Sequence, residues 1–128
     1  ACALVKPGGR LYVVEFHPFA AVFGDDDLDV AWGYWDLGTE FPADGTYADP
    51  EAEFEHNTTA ERNATIGEVV TAVASRGFVV RSLREHPTTL YPRWPWLEVD
   101  DDGETYRMPA GRPELPLVWS LLSVRAGG

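Results

Sequence analysis

Apolar positions along this chain fall into runs of two kinds, and each kind dictates a different element. The first run, Leu11-Tyr12-Val13-Val14-Glu15-Phe16, is apolar at consecutive positions and shows no in/out alternation. A strand of that kind needs cover on both faces, which predicts the interior of a parallel α/β sheet over residues 10–16. Pro7-Gly8-Gly9 supplies the turn ahead of it. His17-Pro18 closes it, because the residue before a proline favours extended backbone. So little chain precedes this strand that its sheet neighbours are expected outside the sequence, with Ala1 lying inside a larger domain.

The second kind is periodic. Ile66, Val69, Val70 and Val73 recur at helical spacing and predict an amphipathic helix over 65–76. Thr65 and Glu68 fit a capping box, and Gly77 is a C-terminal stop. A valine-rich strand follows over 78–83, and Pro116 introduces a last strand over 117–124. Helix, glycine, strand is the rhythm of an α/β unit. Two segments carry no sustained period. The aromatic insertion 19–54 contains Trp32, Tyr34 and Trp35 between glycines, then Asp44-Gly45, and suggests a short irregular hairpin or lid with a tight turn. The insertion 85–114 contains Tyr91-Pro92-Arg93-Trp94-Pro95-Trp96 and Asp100-Asp101-Asp102-Gly103, with Tyr106-Arg107-Met108-Pro109 as a short edge strand.

Length and composition narrow the class. A chain of 128 residues holds one domain or part of one. No apolar run reaches the length of a membrane helix, and no signal-peptide pattern opens the sequence. The net charge of −11 argues against gripping nucleic-acid phosphates or an anionic membrane, since the basic residues are scattered singly. A small-molecule partner is the better expectation. Cys2 has no second cysteine to pair with, which fits a reducing, cytoplasmic setting.

Candidate chemistry gathers where ligands bind in open α/β sheets, beyond the carboxyl ends of the strands. Glu15 and His17 fall there, and His17 has the chemistry of a general base as well as that of a strand cap bonded to backbone. Glu85-His86 ends another strand and makes His86 a second pocket candidate. Trp94 and Trp96 either line an apolar pocket or pack the long insertion. His56 sits in a polar stretch and is expected to face solvent. The three histidines lack metal-site spacing and Cys2 cannot complete one, so no metal is expected. Asp25-Asp26-Asp27-Leu28-Asp29 and Asp100 to Asp102 lack the spacing and final Glu of a calcium loop and read as solvated turns.

The ordered pieces also resemble a known family. Leu4-Val5-Lys6-Pro7-Gly8-Gly9 followed by a hydrophobic strand ending in an acidic residue is similar to the fifth-strand region of class I S-adenosylmethionine-dependent methyltransferases. Val13 to Phe19 (VVEFHPF), Asp44 to Asp49 (DGTYAD), Glu61 to Val70 (ERNATIGEVV), Glu85-His86-Pro87 and Leu115 to Arg125 resemble a bacterial subgroup acting on small molecules. The resemblance implies the C-terminal part of a Rossmann-like sheet: a buried parallel strand, a capped helix and an antiparallel edge pair, without the N-terminal cofactor-binding half. It implies S-adenosylmethionine as the cofactor of the complete protein, and substrate-side roles for Glu15, His17, His86, Trp94 and Trp96. The family's glycine-rich loop and its ribose-holding acidic residue have no counterpart here, so no cofactor-binding residue is expected in this chain. Where the subgroup tends to place Trp-Asn-His, this chain has Arg62-Asn63-Ala64, which leaves a degenerate, noncatalytic binding module as the competing expectation. Half a sheet also leaves an open edge, to be filled by a companion N-terminal fragment or by self-association.

Overall fold

The computed structural model describes residues 2–35 and 64–127, and the backbone of Thr39–Pro42 and Thr58–Glu61. In chain order the strands are β1 (Arg10–Phe16), β2 (Thr39–Pro42), β3 (Thr58–Glu61), β4 (Phe78–His86), β5 (Thr88–Thr89), β6 (Glu98–Val99), β7 (Tyr106–Arg107) and β8 (Val118–Arg125). The helix α1 (Ile66–Ser75) precedes β4, and short 3-10 turns occupy Cys2–Leu4 and Ala20–Val22. The protein is mixed α/β, built among the described residues from small antiparallel sheets and one α-helix.

The main sheet has the order β1-β8-β4, with β8 antiparallel to both neighbours. Its helix-side face carries Trp119 and Leu121 from β8, flanked by Leu11 and Val13 from β1 and by Phe78 and Val80 from β4. The apolar stripe of α1 closes over this face through Ile66, Val69, Val70 and Val73. Thr65 starts the helix as its N-cap: the hydroxyl accepts from the Glu68 N–H at 3.1 Å, satisfying an amide that has no partner within the helix. Gly77, at φ +84°, then turns the chain into β4 through a backbone conformation that side-chain-bearing residues rarely adopt.

A second core forms beyond the strand ends, where Ala20, Trp94, Met108 and Leu117 are buried and Phe16, Trp96 and Leu115 pack against them. The Trp94 and Trp96 rings stack at 5.3 Å, Phe16 meets Trp94 edge-on at 5.6 Å, and the Trp96 indole N–H donates to the Gly24 carbonyl. The Trp96 ring is therefore packed on apolar neighbours with its polar tip satisfied.

Several sequence expectations are corrected. β1 is not a buried parallel strand: among the described residues it is an edge strand, paired only with β8 and only antiparallel. Leu11 and Val13 face the helix, whereas Tyr12 and Val14 are 64% and 53% exposed on the opposite face. Apolar residues on both faces were read as cover on both faces, but these residues supply it on one. β8 and β4 do form the expected antiparallel pair at one border of the sheet, with β4 outermost and β8 between it and β1. The strand expected over 78–83 continues to His86, because β8 keeps pairing with it through Glu85 and His86, although Arg84-Glu85-His86 carries no apolar signal. Tyr106-Arg107 is the middle strand of a small β5-β7-β6 sheet rather than an edge. Within 19–54, β2 pairs with β3 beyond the segment, while the Asp44-Gly45 turn lies outside the described residues.

Candidate functional site

Because β1 and β4 are each antiparallel to β8, they run the same way, and their carboxyl ends meet at one end of the sheet. The register places Phe16 and His86 on either side of Val118, and Glu15 and Glu85 on either side of Trp119. One irregularity decides which of the two β4 residues faces where. The register slips between Val80 and Ser82, so Arg81 is an extra residue against β8. A one-residue slip exchanges the two faces of a strand from that point on. Beyond the bulge Leu83 and Glu85 stand on the helix side, and His86 stands on the open side with Phe16 and Val118.

On that open side lies a cleft of about 330 Å³. Its floor is the end of the sheet, with Val14, Phe16, Val118 and His86. The Thr88–Tyr91 segment forms one wall, Thr105 contributes from the start of β7, and Glu15 reaches the cleft at the end of β1. The size is within the range of small-molecule pockets, which are characteristically apolar with a few placed polar groups. His86 is the polar group on the floor. Its Nε2 lies 3.1 Å from the hydroxyl of buried Ser120, which fixes the ring against the sheet. Among the described residues its Nδ1 makes no hydrogen bond.

His17 is placed differently. It is 6% exposed, its backbone N–H donates to the Leu117 carbonyl, and its own carbonyl accepts from Ala20. Its Nδ1 accepts from the Phe19 N–H at 3.1 Å, which leaves the ring proton on Nε2, 3.1 Å from the Glu85 carboxylate. Burial pushes the imidazole below its ordinary value, opposed by the hydrogen bond and charge of Glu85. Both ring nitrogens are thus committed, and His17 does not line the cleft. The lone pair that a general base needs already holds a backbone amide.

Of the five residues expected on the substrate side, the structure brings Glu15 and His86 to the cleft. Trp94 and Trp96 belong to the second core that supports its Phe16 edge, and His17 caps β1. The sequence reading did not single out Ser120, Val118, Leu90 or Thr105. Ser120 carried one usable signal: it is a polar position inside the apolar run Leu117–Leu122, where a buried hydroxyl needs a partner.

The acidic runs are turn-formers. Asp102 accepts from the Glu104 and Thr105 amides and from the Thr105 hydroxyl, which together hold its carboxyl below the usual range. Asp100 pairs with Arg107 at 3.3 Å, and Asp27 accepts from the Asp29 amide. Among the described residues no group of three or more His, Cys, Asp or Glu side chains is placed to hold a metal ion, and no helix is long and apolar enough to cross a membrane.

The four described glycines with positive φ are Gly8, Gly77, Gly103 and Gly111. Gly8 belongs to the turn into β1, where its N–H donates to the Arg125 carbonyl; Gly77 ends the helix; and Gly103 closes the acidic turn on Asp100. Gly111 lies in the loop before β8, and none of the four lines the cleft. Compared with protein-family models, with curated proteins and with solved structures, the chain matches none of them.

Proposed function

We propose that this chain is the acceptor side of a cytoplasmic S-adenosylmethionine-dependent methyltransferase, supplying a sheet edge and a pocket for a small molecule. The observation that carries the reading is the meeting of two like-directed strands, β1 and β4, whose carboxyl ends open onto one apolar cleft with His86 on its floor. The helix–strand–strand order with an antiparallel final pair agrees with the resemblance of the sequence segments. Cofactor binding falls to residues outside this chain, and no chemical step is assigned here to the residues present. The outer edge of β1 then takes the next strand, from a companion segment or from a second copy.

The test is the coding DNA upstream of Ala1. The expected result is a strand followed by an acidic residue and a G-x-G-x-G loop, and transfer of labelled methyl by the polypeptide so encoded. A coding sequence without that loop removes the methyltransferase reading. It leaves a noncatalytic binding module, which the exposed Trp35 and half-exposed Trp32 favour as a partner surface.

A further inference from the structure

From the shape and lining of the cleft we infer its ligand class: a flat, uncharged aromatic ring system bearing a single hydroxyl, laid on the sheet floor with that hydroxyl at His86. This rests on the reading that the cleft holds the acceptor. Four observations converge on it. The floor is the surface of three adjacent strands, with Val14 and Phe16, Val118 and His86 at neighbouring register positions, so it presents a broad, mostly apolar face. Aromatic and aliphatic side chains, Phe16, Tyr91 and Leu90, surround it, and the Phe16 and Tyr91 rings sit tilted at 51° with centroids 6.3 Å apart. Such walls suit another ring, because ring pairs add attraction beyond the apolar area they bury.

Polarity sets the rest of the class. The Thr105 hydroxyl donates to Asp102 and that of Thr89 to the Tyr91 carbonyl, so neither has a proton left to offer a ligand, and Thr88 adds one hydroxyl to the lining. His86, with Nε2 fixed by Ser120, offers one nitrogen to one ligand group, and a hydroxyl matches it in either tautomer. A polyol finds few partners here beyond His86 and Thr88 and would bury unsatisfied hydroxyls. An anion is disfavoured because no Lys or Arg lines the cleft and the chain carries −11.

The experiment titrates the full chain, without any cofactor, with 2-naphthol, naphthalene and 2-naphthoate, following methyl and amide NMR signals. The expected result is saturable binding of 2-naphthol that shifts the Val14, Val118 and Leu90 methyls, with 2-naphthoate weaker. His86→Phe keeps a ring on the floor and removes the hydrogen bond. It should weaken 2-naphthol by roughly three- to tenfold, the worth of one such bond, and leave naphthalene unchanged. No saturable binding by the wild-type chain, or shifts confined to other methyls, overturns the inference whether or not the variant folds. Equal loss of both ligands in a folded His86→Phe also overturns the hydroxyl assignment. Binding without any methyl transfer by the longer polypeptide leaves the ligand class standing and removes the enzymatic reading, so the two fail separately.

Discussion

Replacing His17 with asparagine should flatten the dependence of stability on pH just below neutrality. In the folded protein the His17 ring is buried, and its Nδ1 accepts from the Phe19 amide. Taking up a proton there breaks that bond and places a charge where water is excluded. Glu85 draws the pKa back upward, but its side chain is 57% exposed, so solvent screens much of that pull and the net direction remains downward. The unfolded ring titrates near 6.5. Below that value the unfolded chain binds more protons than the folded one, so stability is complete above the unfolded pKa and is lost as pH falls toward the folded value. At pH 5.5 the loss has a ceiling of about 1.4 kcal/mol, reached if the folded ring takes up no proton. An asparagine at 17 can accept the Phe19 amide through its own oxygen, as in an Asx turn, and does not titrate. Urea unfolding of both proteins at pH 7.5 and 5.5 gives the double difference, in which titratable groups that do not touch residue 17 cancel and the His17–Glu85 pair remains. Wild type should lose more stability than H17N on acidification. Equal losses, or a wild type that gains relative to the variant, would refute the reasoning and show that the ion pair with Glu85 outweighs burial.

Two further outcomes are expected. Leu121→Ala, at a fully buried position of the central strand, should cost about 2–5 kcal/mol in denaturant unfolding, a large share of the roughly 5–15 kcal/mol typical of a domain; a cost under about 1 kcal/mol would mean that this face is not the core. The His17 amide donates to Leu117, so by antiparallel alternation Leu11, Val13 and Glu15 bond to β8 and the Val14 amide points outward from the edge. Val14→Pro should therefore abolish any self-association seen by light scattering while leaving the thermal midpoint little changed; a monomeric wild type removes self-association through β1.

How much of this was legible in the sequence depended on whether the signal was local. Thr65, Glu68, the valine stripe and Gly77 specify α1 and its ends through hydrogen bonds and packing within one short segment. The strand at 10–16 was equally readable as a strand, yet its place in the sheet was not, because Tyr12 and Val14 look alike whether a neighbour covers them or solvent does. β4 was read three residues short, since the backbone of β8, not side-chain hydrophobicity, holds Arg84 to His86 in the ladder. The bulge at Arg81 has no sequence signature, and it alone decides that His86 rather than Glu85 faces the cleft. The two tryptophans at 94 and 96 were visible as either lining or packing; their stacking beneath Phe16 assigns them to packing.

The central position of β8 also dictates when this sheet can assemble. Among the described residues β1 and β4 do not pair with each other, and each finds its partner only in Val118–Arg125, with Arg10 registered against Val124 across nearly the whole described chain. During synthesis α1 and β4 can dock early as neighbours, but β1 must wait, its backbone unpaired, until the residues of β8 have emerged. Closure over so long a separation adds little to the equilibrium cost, yet it places the molecule among slow, non-local folders. The interval in which β1 waits is when a chaperone, or a stray strand from another chain, has its best access.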